Sequence, residues 1–299
     1  MKRKNSPPSG NHNPMRLADF IKDAVVNLRN AGIDDAATDA RILIGHALGL
    51  DRASLLSQSE RALSPGEEIA CRALLDQRKK GKPVSRITGV REFWGLPFGL
   101  NEATLDPRPD SETLIDAVTA LWSSGWNDGK NERILDLGTG TGCLLLALLH
   151  ERPNATGLGV DVSEDAVGQA RENAATLGLR TRAAFQQSDW LNNVSGTFDI
   201  IVSNPPYIET ETIGTLQPEV RLFDPARALD GGQDGLDPYR LLIPQLSRFL
   251  NPGGLVAFEI GLSQEKAVST MLRHNKFTNI ICRKDLGGIV RVVMGRISF

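Results

Sequence analysis

The first quarter of the chain has the apolar spacing of helices. Between Leu17 and Leu28, apolar side chains recur three and four residues apart, which places them on one face of a helix that Gly32 ends. A later helix opens with Ser64 as its N-cap and Pro65 in its first turn. The predicted helices cover residues 17–28, 39–48, 52–57 and 65–80. The sequence therefore predicts a small helical domain over residues 15–85.

From residue 131 onward, short apolar runs alternate with longer segments of helical periodicity. The predicted strands are 133–137, 156–161, 182–187, 198–203, 254–260, 277–283 and 289–296. The predicted helices lie near 142–150, 164–177, 239–250 and 263–274. Such alternation is typical of a parallel, doubly wound sheet, so the fold class is α/β with seven strands. The last two strands, joined by Gly287 and Gly288, are predicted to form an antiparallel hairpin at the sheet edge.

Two segments lie outside these patterns. Residues 1–14 are rich in Lys, Arg, Ser and Pro and are predicted to be a disordered tail. Because the segment is basic and free of acidic residues, a mitochondrial transit peptide is the alternative, although it lacks an amphipathic apolar face. Residues 86–110 are predicted to be a linker with a hairpin, and residues 111–299 to be the second domain.

The composition is that of a soluble globular protein, with 40% apolar and 23% charged residues. The net charge of −2 disfavours binding to bare DNA or rRNA, because proteins that bind them usually have an excess of basic residues. The isolated Cys71, Cys143 and Cys282 give neither a disulfide framework nor zinc spacing, which suits the cytoplasm. The four histidines form no metal or triad pattern, and no apolar run approaches the roughly 20 residues of a membrane span.

A glycine-rich loop follows the first strand of the predicted sheet. Residues 138–142 read Gly-Thr-Gly-Thr-Gly between that strand and an apolar helix start, a geometry in which a cofactor lies against bare backbone. The next strand ends in Asp161, where an acidic residue binds ribose hydroxyls. The spacing is GxGxG rather than GxGxxG, and the carboxylate of Asp136 suits a cationic sulfonium better than a pyrophosphate. The pattern favours S-adenosylmethionine, with a nicotinamide dehydrogenase or a non-catalytic nucleotide-binding module as the alternative.

Asn204-Pro205-Pro206-Tyr207 ends another buried strand and forms a polar site. The two prolines fix φ and have no N–H, so the carbonyls here are held rigidly. The Asn204 amide adds an acceptor, and Tyr207 adds a flat wall with a polar tip. Asn204 Oδ1 and the Pro205 carbonyl could accept both hydrogens of a planar NH2 group and turn its lone pair toward an electrophile. A strand end with a Pro-Pro turn is the alternative.

Together these motifs resemble the bacterial release factor glutamine methyltransferases (protein-(glutamine-N5) methyltransferases of the PrmC or HemK type). The stretches that carry the resemblance are 106–112, 136–142, 188–190, 204–207 and 228–236. The last is similar to the family's Gly-rich loop and contains Gly-Gly-Gln, which we interpret as loop sequence near the substrate channel. The resemblance extends from about Met15 to the C-terminus, while Asp106 stands where the family usually has an apolar residue.

The resemblance implies a class I S-adenosylmethionine methyltransferase sheet behind a small N-terminal helical domain. It also implies methyl transfer to the side-chain amide nitrogen of the glutamine in the GGQ motif of class 1 peptide chain release factors. The candidate catalytic residues are Asn204, Pro205 and Tyr207, and Pro206 completes the substrate site. The candidate cofactor residues are Asp136, Gly138, Thr139, Gly140, Thr141, Gly142, Asp161, Trp190 and Asn204, with no metal. Trp190 is expected near the adenine.

Several alternatives stay open at this stage. The substrate could be a glutamine of a ribosomal protein, or an exocyclic amine of rRNA or DNA, since adenine and guanine methyltransferases share the NPPY motif. The domain at 15–85 is interpreted as a substrate-recognition domain rather than a cap, because a small-molecule methyltransferase rarely needs it. Arg108 either faces the active site or holds the linker by an ion pair. A cytoplasmic monomer without direct nucleic acid or membrane contact is expected.

Overall fold

The computed structural model describes residues 15–126 and 131–298. The chain divides after Thr88 into two compact units, Met1–Thr88 and Gly89–Phe299. The tail predicted over residues 1–14 lies outside the described residues. Within these described ranges, none of the helices has both the length and the apolar character needed to cross a membrane.

The first unit is helical. Its helices are α1 (Leu17–Asn30), α2 (Ala36–Leu48), α3 (Arg52–Ser57), α4 (Pro65–Lys79) and α5 (Val84–Thr88). They enclose a core of their own, in which Leu17, Leu43 and Cys71 are fully buried. Helix α4 starts with a capping box: Ser64 Oγ accepts from the Glu67 N–H at 3.3 Å, and the Glu67 carboxylate accepts from the Ser64 N–H at 2.9 Å. All four predicted helices are present.

The hairpin begins later than predicted. We expected it from residue 86, but α5 extends to Thr88, and the hairpin is formed by β1 (Val90–Phe93) and β2 (Leu96–Gly99). The local reason is Pro83, whose φ suits a helical turn and whose carbonyl accepts from the Ile87 N–H at 3.0 Å. Gly89, with a φ of +74°, then lets the chain turn from the helix into β1.

The second unit contains a seven-stranded sheet with helices on both faces. Its strands are β3 (Arg133–Leu137), β4 (Thr156–Asp161), β5 (Ala183–Gln187), β6 (Phe198–Ser203), β7 (Leu250–Glu259), β8 (Phe277–Lys284) and β9 (Val290–Ile297). Its helices are α6 (Glu112–Ser123), α7 (Cys143–Glu151), α8 (Glu164–Thr176), α9 (Pro218–Phe223), α10 (Asp237–Leu242) and α11 (Glu265–His274). The strand order is β5-β4-β3-β6-β7-β9-β8, and β9 runs antiparallel to both of its neighbours. The predicted α/β class and the edge hairpin are confirmed.

Alternate residues of the strands pack into cores on opposite faces of this sheet. Ile134 belongs to the core with α6, α7 and α8, whereas its neighbour Leu135 belongs to the core with α10 and α11. Because both faces are covered, the central strands are mostly apolar on both faces, which is the pattern expected of buried parallel strands.

The long helix predicted over 239–250 is wrong. Helix α10 ends at Leu242, and a 3-10 turn follows over Ile243–Arg248 before β7 begins at Leu250. Pro244 explains the break, since it lacks an N–H and its ring clashes with the carbonyl four residues earlier. The short helix α9 was not predicted.

Candidate active site

The two sequence motifs meet at the centre of the sheet. Strand β3 pairs with β4 on one side and with β6 on the other, and Leu137 of β3 lies opposite Ser203 of β6. Gly138, Asp161 and Asn204 therefore stand at or just beyond the carboxyl ends of three adjacent strands. Open α/β sheets bind ligands at such a point, where the strand order reverses.

Asp161 is bound to the glycine-rich loop through the main chain. Its Oδ2 accepts from the Gly140 N–H at 2.9 Å, and its Oδ1 accepts from the Ser163 N–H at 2.9 Å. Burial raises the pKa of Asp161, while these backbone hydrogen bonds and the charge of Arg227 oppose the rise. Each carboxylate oxygen keeps a lone pair, so the side chain can still accept a hydrogen bond from a ligand hydroxyl.

Two glycines of the loop serve different purposes. Both have a positive φ, +53° at Gly140 and +80° at Gly142. A Cβ at Gly142 would lie 3.2–3.3 Å from Ala170, Leu146 and Phe185, so this glycine permits close packing of the loop on α8 and β5. A Cβ at Gly140 would meet no protein atom within 4 Å, because the residue borders a cavity. Gly140 thus leaves open the space that a cofactor would fill.

Trp190 forms an aromatic part of the cavity wall. Its ring lies 3.5 Å from the position that a Cβ on Gly138 would occupy. The residue has a φ of +50°, and Ser188 Oγ donates to its carbonyl at 2.7 Å, which holds this unusual backbone conformation. The flat apolar surface suits stacking of a base, although the predicted contact with adenine stays a prediction.

Asp136 lies beneath the loop. The side chain is fully buried, and Thr139 Oγ1 donates to its Oδ2 at 2.6 Å. Within the described residues its Oδ1 has no hydrogen-bond partner, and burial raises the pKa of the carboxyl to about 7. Asp136 is not part of the cavity wall, so its direct contact with a cofactor stays a prediction.

Asn204 presents an acceptor to the cavity. Its Nδ2 donates to Ser111 Oγ at 3.1 Å, and in the described part of the chain its Oδ1 accepts no hydrogen bond. Asn204 and Pro206 line the cavity, whereas Pro205 is buried behind them. The Pro205 carbonyl likewise accepts no hydrogen bond from any described residue. Two rigid acceptors are therefore free on neighbouring residues.

Tyr207 is directed toward the protein interior. Its hydroxyl donates to Glu259 Oε1 at 3.1 Å, and burial raises the pKa of the phenol. Tyr207 is absent from the cavity wall, so its predicted packing against a substrate stays a prediction.

The Gly-rich loop after β6 packs directly on this motif. A Cβ on Gly231 would lie 2.8 Å from the Pro206 carbonyl oxygen, and one on Gly235 would lie 2.3 Å from that of Tyr207. Gln264 Nε2 donates to the carbonyls of Tyr207 at 3.0 Å and Gly235 at 3.1 Å. The two glycines of the Gly-Gly-Gln tripeptide line the cavity. Glycine is required here because the two backbone segments touch.

The linker side of the cavity is held by ion pairs. Arg108 lines the cavity and forms a salt bridge with the buried Asp224, so it combines the two roles that the sequence left open. Asp106, the departure from the family pattern, is buried, and Arg91 Nε lies 3.7 Å from its Oδ1. The Asp106 N–H also donates to Asp224 Oδ1 at 3.2 Å. The linker thus accommodates a charged residue by pairing it.

The cavity has a volume of about 630 Å³, within the range of roughly 300–1,000 Å³ that small-molecule sites occupy. Its wall includes Gly140, Asp161 and Trp190 as well as Asn204. An open backbone cradle, a carboxylate with free lone pairs and an aromatic wall fit the nucleoside part of S-adenosylmethionine. The residues present therefore fit the predicted cofactor.

Sequence reasoning missed two residues of this site. Ser111 lies within the stretch 106–112 but was given no role, although it holds the Asn204 amide. Glu259 is an ionisable residue at the carboxyl end of β7, directly after an apolar run, and it is buried. The rule that singled out Asp161 and Asn204, a polar residue at the carboxyl end of a buried strand, would have found Glu259 as well.

Comparisons with known proteins cover most of the chain. The sequence profile of the PrmC N-terminal domain matches residues 19–89, and that of a methyltransferase domain matches residues 128–285. A release factor glutamine methyltransferase of Rhodospirillum rubrum is 44% identical over 290 residues, which cover 97% of this chain and 88% of the relative. Another from Bradyrhizobium diazoefficiens is 47% identical over 270 residues, 90% of this chain and 91% of the relative.

Among solved structures, a methyltransferase of Pyrococcus furiosus superposes with a TM-score of 0.50. It is 18% identical and covers 76% of this chain and 98% of its own. At that identity the likeness concerns the fold alone, which is the methyltransferase sheet.

Proposed function

This chain belongs to the release factor glutamine methyltransferase family, and from that membership we propose that it methylates the glutamine of the GGQ motif in class 1 peptide chain release factors. The accepting atom is the side-chain amide nitrogen, N5. The observation that carries the proposal is the pair of free acceptors, Asn204 Oδ1 and the Pro205 carbonyl, beside a cavity that fits the cofactor.

The acceptor pair suits the chemistry of a primary amide. The lone pair of an amide nitrogen is delocalised into the carbonyl, so the nitrogen is a poor nucleophile. Two acceptors at fixed positions can hold both N–H bonds and direct the lone pair along one line. When bound, S-adenosylmethionine supplies an activated methyl group, so the protein's main contribution is orientation, which is worth up to about 7–11 kcal/mol. As positive charge develops on the nitrogen, the same two oxygens stabilise it.

The residues that would hold the cofactor are those of the loop 138–142, with Asp161 and Trp190. Asp161 fixes the loop through Gly140 and retains lone pairs for a ribose hydroxyl. Trp190 provides the surface for the base. Asp136, beneath the loop, accepts a hydrogen bond from Thr139 and so holds the loop in place.

Asp161→Ala is expected to weaken cofactor binding. A hydrogen bond to a charged group is worth about 1.5–3 kcal/mol, so the dissociation constant of S-adenosylmethionine should rise by about 10- to 150-fold in calorimetry. Asp161→Asn is the matched control, since it keeps an acceptor for the Gly140 N–H and should lose less. An unchanged dissociation constant in Asp161→Ala would refute the assignment of Asp161 to the ribose.

The substrate is tested by incubating the protein with labelled S-adenosylmethionine and a panel of acceptors. The panel contains release factors, ribosomal proteins, rRNA and duplex DNA, and mass spectrometry locates the label. We expect label on the glutamine of the GGQ motif. A release factor in which that glutamine is replaced by alanine is the control and should stay unlabelled. Label on a ribosomal protein or on nucleic acid, with the release factor unlabelled, would overturn the proposal.

We further propose that the helical unit recognises the folded release factor. The support is that the helical unit has a core separate from those of the second unit. An enzyme acting on a short peptide would not need such an additional unit. The protein is proposed to act in the cytoplasm, where release factors work, and as a monomer without nucleic acid. Sedimentation of the purified protein with and without a release factor tests the monomeric state.

Deleting residues 1–88 tests this recognition role. The remaining chain, Gly89–Phe299, retains both of its cores and the whole cavity wall, so S-adenosylmethionine should still bind. We expect kcat/KM for the intact release factor to fall by at least about tenfold, equivalent to about 1.4 kcal/mol of recognition. The rate on a short GGQ peptide should be unchanged, which is the internal control. Full activity of the shortened protein on the intact release factor would show that the helical unit is a cap and does not recognise the release factor.

A further inference from the structure

Glu259 is a buried carboxyl next to the proposed methyl-transfer site. It stands at the end of β7 with about 1% of its surface exposed. Its Oε1 accepts from the Tyr207 hydroxyl at 3.1 Å, while its Oε2 has no hydrogen-bond partner among the described residues. Burying an ionised oxygen is costly unless a donor faces it, so a hydroxyl close to Oε2 is expected to donate to it.

Ser111 is the hydroxyl that acts on this carboxyl. It lies in the 3-10 turn before α6 and is itself buried. Burial raises the pKa of Glu259, and hydrogen bonding from Ser111 is the largest effect opposing that rise, ahead of Tyr207 and Arg291. On its other side, Ser111 Oγ accepts from Asn204 Nδ2 at 3.1 Å. Ser111 therefore stands between the buried carboxyl and the Asn204 amide, and donation of its proton to the unpartnered Oε2 would complete a chain of hydrogen bonds from the carboxyl to the amide.

The direction of this chain decides which end of the amide faces the cavity. A serine hydroxyl has a single proton. When that proton is donated to the Glu259 carboxylate, the lone pairs of Oγ face Asn204, and the amide must present its Nδ2. Its Oδ1 is then left for the cavity. We propose that Glu259 and Ser111 are positioning residues that fix the orientation of the Asn204 amide, so that Oδ1 accepts from the substrate NH2.

Protonation of Glu259 reverses the chain. The neutral carboxyl donates to Ser111, the Ser111 proton then faces Asn204, and the amide gains by turning its Oδ1 inward. The NH2 group of Asn204 would then face the NH2 group of the substrate, and two donors cannot form a hydrogen bond with each other. The inference rests on the proposed function, since it assumes that Asn204 accepts from the substrate amide.

Other charged and titratable groups face Glu259, and their ionisation must be distinguished from that of Glu259. Arg291 on β9 and Asp110 in the turn before α6 both act on its charge, and they pair with each other at 3.0 Å. Tyr207 donates to the carboxylate, and Tyr239 on α10 donates to the backbone carbonyl of Glu259 at 2.7 Å. The charge of Glu259 also contributes to raising the pKa of Cys143 at the start of α7. Asp136 is a second buried carboxyl, and burial raises its pKa to about 7 as well.

The first experiment compares the pH dependence of kcat in the full-length protein and in Glu259→Gln. The pKa of Glu259 is raised to about 7, so its ionised form is gained as the pH rises through that value. The full-length enzyme should therefore gain activity through one ionisation near pH 7. Glu259→Gln cannot ionise and should lose this step, while Asp136 is unchanged. If the pH profile of Glu259→Gln is the same as that of the unsubstituted protein, the step belongs to another group such as Asp136, and the inference is overturned.

The second experiment replaces Ser111. Ser111→Ala removes the acceptor for Asn204 Nδ2, and misorientation of a positioned group should lower kcat by about 10- to 100-fold. The dissociation constant of S-adenosylmethionine should stay unchanged and the pH step should disappear, because the carboxyl is uncoupled from the amide. Ser111→Thr keeps the hydroxyl and should restore both. Ser269→Ala removes another buried hydroxyl of the same unit and is the control.

The outcomes separate this inference from the proposed function. If Asn204→Ala is inactive while Ser111→Ala lowers kcat equally at every pH, the catalytic role of Asn204 survives and the inference fails. If Asn204→Ala retains full activity, the proposed function of that residue fails first. Should either Ser111 variant fail to fold, the comparison of the full-length protein with Glu259→Gln decides alone.

Discussion

Asn204→Ala is expected to lower kcat by about 10²–10³-fold, the loss typical of removing one preorganised hydrogen-bonding group from a site of developing charge. The substitution removes Oδ1, the free acceptor on the cavity wall, and leaves the Pro205 carbonyl alone to hold the substrate amide. The cofactor residues around Gly140 and Asp161 are untouched. Binding of S-adenosylmethionine should therefore stay close to that of the unsubstituted protein. Single-turnover methylation and calorimetry on the same preparation measure the two quantities.

The matched control is Asn251→Ala. Asn251 is also a half-buried asparagine with one side-chain hydrogen bond, from its Nδ2 to Asp199 Oδ1 at 2.9 Å, and it stands at the start of β7 away from the cavity wall. Its replacement should leave kcat unchanged. An Asn204→Ala protein that loses cofactor binding and turnover to the same degree would show that Asn204 holds the cofactor rather than the substrate.

The fold followed from the sequence because its main signals are periodic. Apolar runs that alternate with helical periodicity predicted the seven strands, and the pair Gly287 and Gly288 predicted the turn of the edge hairpin. The error over 239–250 came from a single residue, since the apolar spacing of a helix continues past Pro244 while its hydrogen-bond ladder does not.

The site was predictable where it depends on strand ends and not where it depends on side-chain direction. The positions of the loop 138–142, Asp161 and Asn204 follow from the sheet register alone. The hydrogen bond from the Tyr207 hydroxyl to Glu259, by contrast, was not predicted. Such a contact joins residues 52 apart in the sequence, and no local pattern reveals it.

The role of Ser111 was hidden for the same reason. Its contact with Asn204 spans 93 residues and brings together the turn before α6 and the end of β6. Within the stretch 106–112 the sequence draws attention to prolines and charges, whereas the single hydroxyl is the group that bonds to Asn204. Residues that orient a catalytic group are set by packing, and the sequence alone gives no distance between them.

Gly140→Val is expected to abolish detectable cofactor binding, with a dissociation constant raised by more than about 100-fold, or about 2.8 kcal/mol. The branched side chain would enter the space that the cofactor must fill, because a Cβ at this position faces the cavity and meets no protein atom. A φ of +53° also strains any L residue, at a cost of about 1–2 kcal/mol. Loss of binding could therefore come from strain as well as from obstruction.

Gly178→Val separates these two causes. Gly178 is exposed between α8 and β5, has a φ of +70°, and a Cβ there also meets no atom within 4 Å, but it is not on the cavity wall. Both variants should lose similar thermal stability, since both place a branched residue in the left-handed region. Only Gly140→Val should lose S-adenosylmethionine in calorimetry, and Gly140→Ala should fall between them. If Gly140→Val binds the cofactor as tightly as Gly178→Val does, the methyl donor does not lie against this loop, and the assignment of the cavity to the cofactor is wrong.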